Sequence, residues 1–558
     1  MGPPRGKNSL TTSQQRAVAA RGNVLVMAGA GTGKTHTLVA RCLELICKER
    51  VSLEEILIVT FTEAAASEMK QRLRAALEKK SRQTPDDTHC SEQLALFDTA
   101  HVGTLHGFCL KLVREHFHEL GLDPQIAMLD DGESRLLAGE TLAEQSEAHY
   151  ENTDVFSLAV QDLINTYGRG RDEKIRALVL RLHNHIQTRA DSENWLACQI
   201  EAFSAVEPTQ WRGWFSAAIS NWRSEWLPVL ETLKAENPKA VECLEILRGA
   251  ETAEALGKIV VADENWPRGE KTVFRKPLED FFEDAKFLNS LVATNGGDPL
   301  AEDWGWIRTH MRALLQMVLE FEKDFSSRKR DGGVLDFHDL EQFALKLLWD
   351  FQAEKPTAIA KRWREKLHFV FVDEYQDINA AQDKIISALS RDDTDANRFL
   401  VGDVKQSIYR FRLADPKIFR DYAKLWRENS NQTISLTENF RSRESLLDFV
   451  NSLFEPLMNE EIGGVNYDAG AQLKFGSSET REAFGMAKDA SPRAELLLRI
   501  KNSRNENPDA ENIGSLADLE ESEKEARLLA LRLKDLKNSG SDIWDDEEKL
   551  FRAVEWRD

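Results

Sequence analysis

The chain has no uninterrupted apolar run of eighteen residues, so no stretch reads as a membrane-spanning helix. Its opening residues, Met1-Gly2-Pro3-Pro4-Arg5-Gly6-Lys7, lack the apolar core of a secretory signal. Cysteine is sparse: Cys42, Cys47, Cys90, Cys109, Cys198 and Cys243 form no C-x-x-C pair and no zinc-type spacing. Scattered thiols of this kind fit a reducing cytosol and exclude a disulfide framework. No internal repeat or low-complexity tract is present. A basic excess is also missing. The formal net charge is −21, which argues against indiscriminate attraction to nucleic acid but leaves room for a basic groove on an acidic body.

What is there is a long, foldable chain. At 558 residues it exceeds one hydrophobic core and should form about three or four domains. Hydrophobic content of 42% and charged content of 30% fit globular domains rather than disorder. The most informative stretch is Ala28-Gly29-Ala30-Gly31-Thr32-Gly33-Lys34-Thr35. It follows a strand-like run, Asn23–Met27, and precedes apolar residues at helical spacing: Leu38, Val39, Cys42, Leu45 and Ile46. Strand, glycine-rich turn and helix together make a phosphate site, because the turn's backbone N–H groups and the helix's positive end converge on one anion. Lys34 can then reach the β- and γ-phosphates of ATP, and the Thr35 hydroxyl can ligate Mg²⁺.

Four more strand-like runs end in polar residues: Ile56–Phe61, His368–Asp373, Arg398–Asp403 and Thr433–Thr437. Strands alternating with helices predict an α/β fold with a parallel sheet and ligands at the strands' carboxyl ends. Residues 120–330 read as helical throughout, for example Arg176–His185 and Trp304–Phe325, and form an expected insert between 1–119 and 331–431. A second region is expected over 432–558, with a helix at Ser445–Leu457, a strand at Ala494–Ile500 and a charged helix at Leu519–Asn538. Asn502–Asn512 reads as a polar loop, and Leu550–Asp558 as the approach to a further strand, so this region is expected to be truncated. Eight of the thirteen tryptophans (Trp195, Trp211, Trp214, Trp222, Trp226, Trp266, Trp304, Trp306) fall in the insert, where core packing is the default expectation. The basic cluster Arg328-Lys329-Arg330 is expected to be a solvated face. Asp545-Asp546-Glu547-Glu548-Lys549 has a nuclease-like look but reads as a charged loop without a preceding apolar strand.

Phe371-Val372-Asp373-Glu374 is a hydrophobic strand ending in two acids. Phosphoryl transfer needs such a pair, one acid for the metal and one to orient and deprotonate water. The longer run Val372-Asp373-Glu374-Tyr375-Gln376-Asp377 resembles motif II of superfamily 1 helicases of the UvrD/Rep type. Other matches follow in family order. Leu10–Val18 resembles the Q motif, Val59–Met69 motif Ia, Gly103–Cys109 motif Ic and Leu335–Leu340 motif Id. Val401–Arg412 resembles motif III and Leu436–Ser442 motif IV. Within this group the wording Gly402–Pro416 is most similar to the AddA component of bacterial AddAB helicase–nucleases, since UvrD and Rep usually carry Trp at the position of Phe411 and Gly at that of Leu413.

The resemblance implies a P-loop RecA-like sheet domain (1–119 and 331–431), the inserted helical subdomain, and the start of a second RecA-like domain from 432. It implies ATP bound by Gln14, reading adenine, and by Ala28, Gly29, Ala30, Gly31, Thr32, Gly33, Lys34 and Thr35, with Mg²⁺ on Thr35 and Asp373. Lys34, Asp373, Glu374, Gln406 as γ-phosphate sensor and Arg441 as arginine finger form the implied catalytic set. Phe61, Tyr409 and Phe411 are expected to stack DNA bases, with Thr104 and His106 beside them; for Tyr409 a core position is the competing reading. The expected activity is that of a 3′–5′ DNA helicase in bacterial cytoplasm, acting on single strands and double-stranded ends with an AddB-like partner, for repair by recombination. The alternatives are a stand-alone UvrD/Rep-like repair helicase and an ATP-gated DNA-binding or defence module without unwinding. The resemblance places motifs V and VI, a nuclease domain and iron–sulfur cysteines beyond Asp558. Residues 1–558 alone are therefore expected to bind ATP weakly and hydrolyse it poorly; brisk DNA-stimulated turnover by this segment would refute that.

Overall fold

The computed structural model describes residues 10–250, 252–294, 296–428, 433–460, 464–476, 495–498, 520–545 and 550–556. The chain divides into two compact units: 1–105 with 361–378 and 389–558, and 106–360 with 379–388. The helical unit is thus broader than the expected 120–330.

The first unit is built on a parallel sheet of six strands: β1 (Val24–Ala28), β2 (Ile56–Thr60), β3 (His101–Thr104), β4 (Phe369–Val372), β5 (Arg398–Gly402) and β6 (Thr433–Leu436), in the order β6-β1-β5-β4-β2-β3. Strand β3 had no legible signal, because its His-Val-Gly-Thr carries one aliphatic residue in four. The boundary drawn at 432 falls just before β6, which lies in the same sheet as β1 with Leu25 opposite Thr433 and Ala28 opposite Leu436. On its other side β1 pairs with β5, Met27 opposite Gly402. The strands are near-continuous apolar runs because both faces are covered. Val24, Val26, Ile56, Ile58, Phe371, Val401 and Ile434 pack with Leu38 and Cys42 of helix α2 (Lys34–Leu43) and with Met69 and Leu73 of helix α3 (Glu63–Gln83). All six carboxyl ends face one edge, where the phosphate turn, Phe61, Asp373 and Asp403 emerge.

Beyond β6, a helix at Glu444–Leu457 lies where one was expected, and Glu438–Asn439 pairs in parallel with Lys474–Phe475. Of the strand expected over 494–500, the described residues 495–498 have no regular structure, and the rest lies outside the described residues, as does 502–512. The charged helix runs Glu521–Asn538. The loop reading of Asp545–Lys549 needs correction at its start: Asp542–Asp545 is a strand, antiparallel to Leu550–Ala553, because Ile543 and Trp544 supply a short β-forming run. Residues 546–549 lie outside the described residues.

The second unit is helical. Its 33-residue helix α4 (Pro299–Asp331), about 50 Å long, carries Leu315, Met317, Val318, Phe321 and Phe325 against Val160, Ile164, Val179 and Ile186. A second cluster joins Trp222, Leu244, Ile259, Phe281 and Phe282. Trp222 stacks on Phe281 at 5.1 Å between ring centroids and Trp304 on Phe203 at 5.2 Å, as core packing requires. Trp214 and Trp306 depart from it, at 61% and 69% exposed. The solvated reading of Arg328-Lys329-Arg330 fails at Lys329: the ammonium is buried, 2.8 Å from Asp336 and 2.7 Å from Asp339, because two carboxylates compensate its desolvation.

Phe371, two residues before Asp373, is fully buried against Phe399, whereas Phe411 is 74% exposed. Phe371→Ala should cost about 3–5 kcal/mol and lower the thermal midpoint, while Phe411→Ala should leave it unchanged.

Candidate functional site

The phosphate turn is shaped by two left-handed glycines, Gly31 at φ +71° and Gly33 at φ +83°. The Thr32 amide and hydroxyl both donate to the Gly29 carbonyl, at 3.3 and 2.7 Å, and close the turn. Gly33 then caps α2 with no side-chain hydrogen bond, which leaves the helix's first N–H groups for an anion. Gln14 braces this turn. Its Nε2 donates to the Thr32 carbonyl at 3.1 Å, and its Oε1 accepts from the Thr11 amide at 2.9 Å within a capping box that starts helix α1 (Thr12–Ala19).

Lys34, first in α2, reaches the acid pair that follows β4. Its Nζ lies 2.7 and 2.6 Å from the two carboxylate oxygens of Glu374. The Asp373 amide extends the ladder by donating to the Val59 carbonyl at 2.9 Å, and the Asp373 carboxylate accepts from the Glu374 amide at 3.0 Å. Glu374 itself sits at φ +53°, a left-handed conformation that costs a non-glycine residue about 1–3 kcal/mol and that recurs at functional sites. Burial pushes the Asp373 carboxyl up to about 6; the neighbouring Glu374 charge adds to this, and Lys34 and the Glu374 amide offset part of it. Thr35 is half-buried in the first turn of α2.

Sequence reasoning assigned no role to Gln376, Asp377 or Asp403, yet they link the expected residues. The Gln376 Nε2 donates to Glu374 Oε2 and Asp377 Oδ2, each at 2.9 Å, and its Oε1 accepts from the Asp403 amide at 2.9 Å. Asp403 in turn accepts from Gln406 Nε2 at 2.7 Å and pairs with Lys405 at 2.8 Å. The only signal in the sequence was position within motifs II and III.

Asn439 is another residue without an assigned role. Its Nδ2 donates to the Ala30 carbonyl at 2.6 Å, and the Phe440 amide donates to the Gly31 carbonyl at 2.8 Å. The Asn439 Oδ1 accepts the amides of Arg441 and Ser442, at 2.9 and 2.7 Å. A Cβ added to Gly31 would lie 2.7 Å from that of Arg441, so glycine is required there, and Arg441 is rooted on the phosphate turn with an exposed side chain.

The three expected stacking residues come together. Phe61 and Tyr409 rings are 4.8 Å apart, and Tyr409 and Phe411 5.9 Å apart, with the Arg412 guanidinium 5.5 Å from the Tyr409 ring. Tyr409 is half-buried as the middle rung of this ladder. Leu413 closes the segment at φ +63°, the backbone region glycine prefers. Thr104 and His106 are engaged within the protein. The Thr104 hydroxyl donates to Glu63 at 2.7 Å. In the helical unit the His106 Nε2 lies 2.8 Å from Glu341, which also accepts from Asn379 and Gln382. Burial opposes the Glu341 charge, but the hydrogen bond and charge of His106 help hold its carboxyl below the ordinary range.

Burial, reinforced by the Glu374 charge, also pushes Asp377 up to about 6. Its native pKa is raised, so the stability penalty for charging it is absent below about pH 4 and complete above about pH 6. Asp377→Asn keeps the acceptor for Gln376 and should therefore raise stability at pH 8, by at most about 3 kcal/mol, and with it the thermal midpoint, but not at pH 3.5. Thermal unfolding at the two pH values checks the sign.

The site's elements match a known family. Residues 10–426 match the model of the UvrD/REP helicase N-terminal domain. Curated relatives include AddA proteins, named as an ATP-dependent helicase/nuclease component. One from Syntrophomonas wolfei is 32% identical over 98% of this chain and 48% of the relative, and one from Alkaliphilus oremlandii is 32% identical over 98% and 46%. A third, from Bacillus cereus strain AH187, is 34% identical over 98% of this chain and 46% of its own length. The chain spans about half the length of these relatives. With a phosphate turn, an acid pair and an aromatic ladder on one sheet edge, and a family match over most of its length, the chain belongs to the UvrD/REP helicase family.

Proposed function

We propose that this chain is the ATP-driven motor portion of an AddA-like helicase–nuclease. In this reading it is a 3′–5′ DNA translocase and helicase that processes double-stranded DNA ends for recombinational repair. One observation carries the reading: Lys34 and Glu374, 340 residues apart in sequence, close on each other beside Asp373 at the sheet's carboxyl edge. Lys34 and the uncapped N–H groups of α2 hold the β- and γ-phosphates, and Gln14 both braces the turn and faces the adenine. Glu374 takes the proton from the attacking water. Gln406 senses the γ-phosphate, and Arg441, rooted on the phosphate turn, reaches the transferred phosphoryl group as an arginine finger.

The donor set fits Mg²⁺. Among the described residues no group of three or more His, Cys, Asp or Glu side chains could hold a metal by itself. One hydroxyl (Thr35) and one carboxylate (Asp373) suit an ion that keeps waters and takes its other ligands from phosphates. When bound, Mg²⁺ neutralises phosphate charge.

The ladder Phe61–Tyr409–Phe411 suits a motor that must accept any sequence, because every base offers a stacking face worth about 1–3 kcal/mol. Thr104 of the sheet unit and, separately, His106 of the helical unit are further candidate DNA contacts, each of which would have to give up its carboxylate partner, Glu63 or Glu341. The six-stranded sheet serves as the first RecA-like domain, with a second RecA-like domain beginning after it. The partner is an AddB-like protein in a heterodimer, and the setting is the bacterial cytoplasm. No helix among the described residues is long and apolar enough to cross a membrane.

The deciding measurement is ATP turnover by the intact protein with and without single-stranded DNA. Turnover should rise many-fold with DNA; an unchanged rate would favour an ATP-gated binding module. Lys34→Ala should nearly abolish turnover in a folded protein. Glu374→Gln should cut kcat by roughly 10²–10⁴ and leave nucleotide binding at least as tight, because it frees Lys34 from its carboxylate.

A further inference from the structure

We infer that Gln376 is a positioning residue for ATP hydrolysis: its side-chain amide fixes the Glu374 carboxylate and joins it, through Asp403, to Gln406. This rests on the reading of Glu374 as general base and Gln406 as phosphate sensor.

Gln376 is 1% exposed, and its neighbours determine its orientation. Two carboxylates, Glu374 and Asp377, require donors on one side of the amide, and the Asp403 N–H requires an acceptor on the other. Reversing the amide would set its oxygen against two carboxylates and its NH₂ against a backbone N–H, so one orientation alone satisfies the site. The fit to β5 is close: a Cβ on Gly402 would fall 2.5 Å from Gln376 Oε1 and 3.3 Å from its backbone nitrogen. No other uncharged side chain of this length offers two donors and an acceptor. Asparagine is too short, methionine cannot donate, and glutamate would add a third carboxylate.

The Glu374 carboxylate has two side-chain donors among the described residues, Lys34 and Gln376. When Lys34 turns to a phosphate, Gln376 alone keeps the carboxylate aimed. From Gln376 the line of hydrogen bonds continues to Asp403 and Gln406, three residues before Tyr409 in the aromatic ladder. The amide thus connects the base to the segment that carries the DNA-stacking rings. A displacement of the base by about 1 Å is enough to cost on the order of a hundredfold in rate.

The test uses the intact protein with Gln376→Met, which keeps length and volume but has no hydrogen bonds, and Gln376→Glu, which keeps shape but loses the donors at neutral pH. ATPase kcat and KM are measured with and without saturating oligo(dT), together with binding of a fluorescent non-hydrolysable ATP analogue. Both variants should bind the analogue, hold KM within about threefold, and lose roughly 10- to 100-fold in DNA-stimulated kcat, so that the stimulation ratio falls toward one. The double variant Gln376→Met/Gln406→Ala should be no slower than the slower single variant, as for two members of one unit. A purely structural residue would lower basal and stimulated rates by the same factor. The assignment is overturned by that result, by DNA-stimulated turnover within about threefold of wild type in either variant, by additivity in the double variant, or by loss of analogue binding in both variants, which would make Gln376 a core strut. A wild-type protein that never hydrolyses ATP would instead remove the reading of the site itself.

Discussion

The charge balance of the nucleotide site depends on one ammonium. Glu374 and Asp377 accept from the Gln376 amide, the Asp403 backbone N–H donates to it, and Asp373 adjoins Glu374; Lys34 is the cation on Glu374, while Lys405 serves Asp403. Asp373 and Asp377 are both pushed up to about 6, the mark of carboxylates buried near another negative charge. Removing Lys34 would worsen that repulsion. Yet the pair is not locked: the Lys34 side chain is 12% exposed and that of Glu374 34%. An ion pair this open to water is worth on the order of 1 kcal/mol, well short of what a sealed pair resists. The lysine is therefore held firmly enough to be ordered and loosely enough to leave Glu374, as its proposed role as a phosphate contact requires.

Much of this was legible in the sequence, for identifiable reasons. The glycine turn announced itself because Gly31 and Gly33 must adopt positive φ and because a strand and a helix flank them. Long apolar runs revealed the strands other than β3. The acid pair could be matched to the turn through motif order, and Lys34 meets Glu374 across 340 residues.

What stayed hidden was polar partnership. Nothing in a one-dimensional pattern says that Thr104 will donate to Glu63, that His106 will meet Glu341, or that Lys329 will be sunk between two aspartates. Burial of a charge is decided by what arrives from elsewhere in the chain. The Gln376 linkage escaped for the same reason: a glutamine in a motif carries no periodicity. The insert's tryptophans were legible as a group but not one by one, since Trp304 and Trp306 stand two residues apart on one helix and only the first faces the core.

The placement of β1 has a consequence for synthesis. Of the six strands of the sheet β1 is synthesised first, and its two neighbours β5 and β6 are the last: Asn23, just ahead of β1, accepts the Arg398 amide across 375 positions. At translation speeds of roughly 5–20 residues per second, both hydrogen-bonding edges of β1 wait unpaired for about 20–75 seconds. During that interval the nascent chain presents an apolar strand with open edges, the kind of segment that chaperones must shield.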